Sequence, residues 1–372
     1  MKLNIIKMPE LVIGDLVAKL PIIQGGMGVG VSLSSLASAV GNVGGIGVIS
    51  AAGIGFDLPE YKINPIETSI NALKDEIKKA KELTLGIIGV NIMVALSNFS
   101  DMVKASIEAG ADIIFAGAGL PLDLPEYLTD GKMPKLVPIV SSARAAGLIT
   151  KRWASKYSYL PDAFVVEGPM AGGHLGFKKE QLNEREYSLE ALIPEVVREV
   201  NIYENKYGKP IPVVAGGGIY TGEDIYNFIS LGAAGVQMGT RFVPTYECDA
   251  EMNFKKAYID CKKEDIVIID SPVGLPGRAI KNSFIKSAES GMKHPFKCPY
   301  HCIKSCKVND SLYCIAYALL HAKKGNMQNG FVFAGENAYR VKELVSVREL
   351  IESLKSEYSE TVLRLNPAVS II

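Results

Sequence analysis

His174 stands in the run Val165-Val166-Glu167-Gly168-Pro169-Met170-Ala171-Gly172-Gly173-His174-Leu175-Gly176 and is one of four histidines in 372 residues. An apolar stretch ends on acidic Glu167 and passes into a glycine-rich turn that holds the imidazole. A histidine so placed can take or give a proton near neutral pH, or hydrogen-bond a developing anion. The glycines around it, Gly173 among them, let the backbone approach a ligand closely.

Two further glycine-rich turns follow apolar runs: Ala215-Gly216-Gly217-Gly218-Ile219, then Gln237-Met238-Gly239-Thr240-Arg241. Bare amides in such turns, next to a helix N-terminus, bind phosphate oxygens, and Thr240 adds a hydroxyl. The pair of turns predicts a phosphate site without saying whose phosphate it is. An earlier turn, Gln24-Gly25-Gly26-Met27, leaves the first apolar run, and its amides can lie against a planar ring. Asn91 closes another apolar run, where its side-chain amide would point at the same mouth.

These groups must be delivered by repeated elements. Short apolar runs at 20–23, 46–50, 85–91, 112–116, 136–140, 163–167, 212–215 and 235–238 predict eight strands. Their near-continuous hydrophobicity suits parallel strands buried on both faces. Helical patterns at 32–40, 66–81, 99–109, 142–155, 189–207 and 221–231 alternate with them, while 120–128 carries two prolines and reads as a turn or short helix. The alternation predicts an α/β fold, a (β/α)8 TIM barrel over 1–246. Residues 247–345 read as helices and loops packed on the catalytic face as part of the same domain. Residues 346–372 read as a closing amphipathic helix and a peripheral tail.

Composition narrows the function. With 40 basic and 40 acidic residues the net charge is zero, which argues against a nucleic-acid or anionic-membrane partner. The N-terminus lacks the pattern of a signal peptide, and no apolar run is long enough to span a bilayer, so a cytoplasmic protein is expected.

Four of six cysteines, Cys298, Cys302, Cys306 and Cys314, follow the pattern C-x3-C-x3-C-x7-C. On a helix Cys302 and Cys306 would share a face. Four thiolates match the ligand count of an iron–sulfur cluster or a structural zinc, although the spacing matches no common motif for either. Buried apolar cysteines are the alternative. His294 and His301 could replace a thiolate, and Cys248 and Cys261 read as structural.

Taken together, the turns at 21–28, 89–91, 167–176, 215–218 and 239–242 resemble those of the nitronate monooxygenase family, formerly the 2-nitropropane dioxygenases. The flavin-dependent enoyl-acyl-carrier-protein reductases of type II share these motifs. The resemblance covers roughly residues 5–340 and implies a barrel with non-covalent FMN. It implies that Gly25, Gly26 and Met27 lie along the isoalloxazine, with Gln24 and Asn91 among its polar surroundings. It gives the phosphate to Gly217, Gly218, Gly239 and Thr240, and sets His174 toward the substrate. The loop 271–278 looks like the family's substrate-side loop. Glu167, Gly173, Gly216, Gln237 and Met238 complete the expected cofactor contacts.

Oxidation of an alkyl nitronate by oxygen is the first activity implied. An enoyl-thioester reductase using NAD(P)H is the second, and a flavin and iron–sulfur electron carrier or redox sensor is the third. A homodimer is the expected assembly. Two departures bear on the choice. Glu167 is acidic, as in some enoyl reductases. Leu175 stands where many nitronate enzymes place arginine, leaving Lys178 and Arg278 as the cations for an anionic substrate.

Overall fold

The computed structural model describes residues 6–128, 131, 133–294, 298, 301–306 and 308–366. A hairpin of β1 (Leu11–Ile13) and β2 (Leu16–Ala18) comes first. Eight parallel strands then close into a barrel: β3 (Ile22–Gln24), β4 (Ile46–Ser50), β5 (Ile87–Met93), β6 (Ile113–Gly117), β7 (Lys135–Val140), β8 (Phe164–Glu167), β10 (Val213–Gly216) and β11 (Gly235–Met238). The two-residue strand β9 (Gly173–His174) lies outside it. All eight barrel strands fall on the runs predicted from sequence. The first and third each start two residues after the predicted run; ahead of the third, Leu85, although apolar, is fully exposed.

The barrel interior is packed. Ile23, Val48, Phe115, Val137 and Val165 point inward and meet Leu11 and Ile13 of the hairpin. The hairpin lies where the strands begin, since Asp15 pairs with Lys135, the first residue of β7. The opposite end, where the strands finish, is left for the site, as the barrel architecture leads one to expect.

Helices α1 (Ser34–Asn42), α2 (Pro65–Leu83), α3 (Phe99–Glu108), α4 (Ala143–Tyr157), α5 (Leu189–Tyr207) and α6 (Gly222–Ser230) surround the strands. Helix α5 shows how local sequence sets their limits. The Ser188 hydroxyl accepts from the Ala191 amide at its start, and Gly208 ends it at φ +68°. Among the described residues no α-helix lies between β6 and β7; the proline-bearing segment forms the 3-10 turn Leu124–Tyr127.

Beyond β11 come α7 (Met252–Asp260), β12 (Ile266–Asp270), β13 (Pro276–Ile280), α8 (Ser283–Glu289), α9 (Ile315–Lys323) and α10 (Val347–Leu365). The expectation of helices and loops alone is corrected here. Strands β12, β13 and β9 form an antiparallel sheet, with His174 paired to Gly277. A two-residue strand carries no periodicity, so β9 has no signal in sequence. The tail expected to be peripheral, beyond 366, lies outside the described residues. Helix α10 is the expected closing helix. Its Val347, Leu350, Ile351, Leu354 and Tyr358 are buried, and it packs on α6 and α1 in the place an eighth barrel helix would take. Among the described residues, no helix is long and apolar enough to cross a membrane.

Candidate active site

The finishing ends of the strands surround a cavity of about 700 Å³. Gly25, Gly26, Met27, Asn91, Glu167, Gly173, His174, Gly216, Gly217, Gly218, Gln237, Met238, Gly239 and Thr240 all line it. Residues far apart in the chain meet here because each leaves the end of a neighbouring parallel strand.

Gln24 does not line the cavity, which corrects the expectation that it surrounds a bound ring. It is fully buried, and its amide bonds the Gly25 carbonyl, the Val48 carbonyl and the Val48 amide, stapling β3 to β4. Asn91 sits within β5 rather than at its end, and it still reaches the mouth. Gly26 passes so close over Asn91 that a Cβ on Gly26 would overlap the asparagine Cβ.

Gly217 and Gly218 adopt φ of +99° and +83°, a region that favours glycine. The amides of Gly217, Gly218, Gly239 and Thr240 have no protein acceptor among the described residues. The Thr240 hydroxyl oxygen accepts from the Gly335 amide at 3.2 Å, which leaves its own proton to donate. Free amides of this kind suit phosphate oxygens. The start of α6 does not join them. Asp224 takes the amides of Tyr220 and Thr221, and Glu357 takes that of Gly222. The phosphate character therefore rests on the turns alone.

His174 is held by the β9–β13 pairing. Its Nε2 lies 2.7 Å from the Ser271 Oγ, and its ring meets the Phe333 ring edge-on at 4.9 Å. Burial pushes its pKa down to about 4, so the imidazole is neutral at neutral pH. Ser271 and Phe333 were missed as site partners. Ser271 opens the predicted substrate-side loop, but nothing in sequence ties its hydroxyl to a histidine 97 positions away.

Arg278 and Lys178 do not line the cavity, which corrects their reading as cations for an anionic substrate. Arg278 is 5% exposed. It donates from Nη1 to the carbonyls of Pro169 and Ala171, and its Nε lies 2.8 Å from the Glu336 carboxylate. It holds the turn that carries His174. Among the described residues, no lysine or arginine lines the cavity, and Glu167 is its one acidic side chain.

The Glu167 carboxylate has no hydrogen-bond partner among the described residues, and burial raises its pKa from 4.5 to about 7. Its ionised form is disfavoured in the fold. Stability therefore falls as pH climbs from about 4.5 to about 7, because the unfolded chain releases this proton first. The gap corresponds to at most about 3 kcal/mol at full ionisation. Glu167→Gln should therefore stabilise the flavin-free protein at pH 8 by up to roughly that amount and have little effect near pH 4.5. Urea unfolding at the two pH values tests this, and an equal effect at both would contradict it.

The cysteine cluster forms a second cavity of about 250 Å³, lined by Cys298, Cys302, Cys306, Cys314 and His301 among others. No helix covers 302–306, so the helical reading of that pair is corrected. His294 is turned away: its Nε2 pairs with the Ser287 hydroxyl, and its ring stacks on Phe284. Among the described residues, no three of His, Cys, Asp and Glu could hold a single metal ion. Cys248 and Cys261 are buried.

The profile of the nitronate monooxygenase family matches residues 10–357. The chain belongs to the nitronate monooxygenase family. It is a flavin-dependent oxidoreductase. A probable nitronate monooxygenase of Staphylococcus saprophyticus is 27% identical, covering 96% of this chain and all of that protein. A (3aS,4S,5R,7aS)-5-hydroxy-7a-methyl-1-oxo-octahydro-1H-indene-4-carboxyl-CoA dehydrogenase of Mycobacterium tuberculosis is also 27% identical, over 73% of this chain and 66% of its own length. Among solved structures, FabK of Thermotoga maritima superposes with a TM-score of 0.71 at 27% identity, covering 94% of this chain and 95% of its own. The nitroalkane oxidase of Streptomyces ansochromogenes gives the same TM-score at 22% identity and shares the family fold.

Proposed function

We propose that this family member reduces enoyl thioesters with electrons from NADH or NADPH, using FMN. The observation that carries the substrate class is the cavity wall. It is mostly apolar, it offers no cation among the described residues, and its acidic group is Glu167. A nitronate anion would enter it without a counter-charge, whereas a neutral alkene conjugated to a thioester loses nothing there. The mycobacterial relative, whose name carries a CoA thioester, supports this choice.

The cavity fits FMN in kind: an apolar chamber, side-chain amides on Asn91, Gln181 and Gln237, and backbone amides of the glycine turns without protein acceptors among the described residues. FMN, when bound, supplies hydride transfer between the nucleotide and the substrate carbon. The amides of Gly217, Gly218, Gly239 and Thr240 would hold its phosphate, and the Asn91 and Gln237 side chains would offer hydrogen bonds to its polar groups. Neutral His174, steadied by Ser271, donates a hydrogen bond to the thioester oxygen as negative charge gathers there.

Gly217→Ala tests the phosphate assignment. The new methyl is strained at φ +99° and sits against Ala171 and Gly168. A penalty of about 1–3 kcal/mol weakens FMN binding by roughly tenfold to a hundredfold, read by fluorescence titration. Unchanged affinity removes Gly217 from the phosphate site.

A second reading, oxidation of a nitroalkane or nitronate by oxygen, is favoured by the end-to-end match to the staphylococcal relative. Anaerobic flavin reduction separates the two. The reductase reading expects NADH or NADPH to bleach the flavin and an enoyl thioester to restore its colour. Bleaching by a small alkyl nitronate, with none by either nucleotide, would overturn it.

A further inference from the structure

The second cavity is built from one sequence segment folded against the barrel. The loop carrying Cys302 is pinned to the segment after β5: the Ser97 amide donates to the Cys302 carbonyl, the Lys304 amide donates to the Ala95 carbonyl, and Ile303 bridges to Leu96. Cys314 caps the start of α9 and brings the fourth thiol to the same space. Cys298, Cys302, Cys306 and Cys314 all line this one cavity. Donors already aim at the sulfurs. The His301 amide lies 3.4 Å from the Cys298 sulfur, and Ser311 bonds the Cys306 sulfur. Lys304 adds a positive charge to the wall.

Four convergent thiols with a void between them distinguish the occupants. A single zinc ion draws its sulfurs to about 2.3 Å from one point, which leaves no space at the centre. Here the ligands do not close on one point, and the void is several times the roughly 30 Å³ that one water occupies. A cluster binds each thiolate to a different iron, so its sulfurs stand further apart around a multi-atom core. No disulfide uses the thiols, since all four are free.

We propose that Cys298, Cys302, Cys306 and Cys314 bind a [4Fe–4S] cluster, one thiolate to each iron, each thiol giving up its proton on binding. The backbone and hydroxyl donors at the sulfurs then serve the bound thiolates, and Lys304 offsets part of the negative charge. The site is not remote from the flavin chamber. Cys302, Ile303 and Ile315 line both cavities, so the cluster shares a wall with the main site. The inference stands on these contacts and is independent of the substrate assignment.

The test is the whole protein expressed and purified without oxygen, with iron, acid-labile sulfide, zinc and flavin measured per chain. The expected result is about four irons and four sulfides alongside the flavin, with a broad absorbance near ~400 nm that fades on dithionite reduction and a paramagnetic signal in its place. Cys302→Ser and Cys306→Ser should each lower iron by at least roughly tenfold, while the control Cys248→Ser keeps it. Should the variants not fold, the wild-type protein still decides by reconstitution with ferrous iron and sulfide. A flavin-loaded chain that takes up no sulfide under those conditions overturns the proposal. So does one zinc per chain without sulfide, or iron content equal in all three variants.

Discussion

His174→Ala is expected to lower turnover by about 10²–10⁴-fold while flavin binding and fold stay intact. The imidazole is the proton-active group that the β9–β13 pairing sets into the cavity, with Ser271 at 2.7 Å and Phe333 against its ring. Removing it leaves the glycine turns after β10 and β11 untouched, since those belong to other strands. The two half-reactions separate its role. Flavin reduction by nucleotide should change little, and reoxidation by the thioester should carry the loss. His174→Gln, which keeps a hydrogen-bond donor, should recover part of the rate. The neutral state also sets the pH behaviour. With a pKa near 4, His174 gives the wild-type enzyme no inflection between pH 5 and 9, whereas Glu167 titrates at about 7. Equal loss in both half-reactions would place His174 at the flavin rather than at the substrate.

Arg278→Met should destabilise the protein by about 3 kcal/mol, near the lower end for breaking a buried ion pair. The low figure follows from geometry. Arg278 is buried, but the Glu336 side chain it pairs with is 35% exposed and recovers some hydration. The carbonyls of Pro169 and Ala171 lose their charged donor and stay inside. For a chain of 372 residues the melting temperature should fall by roughly 4 °C. Because Arg278 holds the turn that carries His174, activity should fall further than stability at temperatures well below melting. The double change Arg278→Met with Glu336→Gln removes the stranded carboxylate and should regain part of the stability but not the activity. A variant with unchanged melting and unchanged kcat would sink the positioning role.

The architecture was legible in sequence because parallel strands buried on both faces leave short continuous apolar runs, and each of the eight was found. Glycine turns at the strand ends were legible for the same local reason. Gln24 was misplaced because its residue type and its position after an apolar strand suit a ligand contact as well as a strand staple. Which one it is depends on the Val48 backbone one strand away. Arg278 was misread similarly: a cation near a substrate loop looks available until its carbonyl and carboxylate partners are located.

By itself, then, the sequence determined the strand and helix order, the glycine turns and the presence of one histidine and four clustered thiols in the right segments. These follow from local periodicity and from backbone freedom at glycine. The tertiary structure decided what those groups face. It neutralised His174 by burial, withdrew Arg278 and Lys178 from the cavity, closed the α6 N-terminus with its own cap, and opened a void between thiols rather than a point. Each depends on contacts across long sequence separation, where burial and hydrogen-bond partners are set by packing rather than by neighbours in the chain.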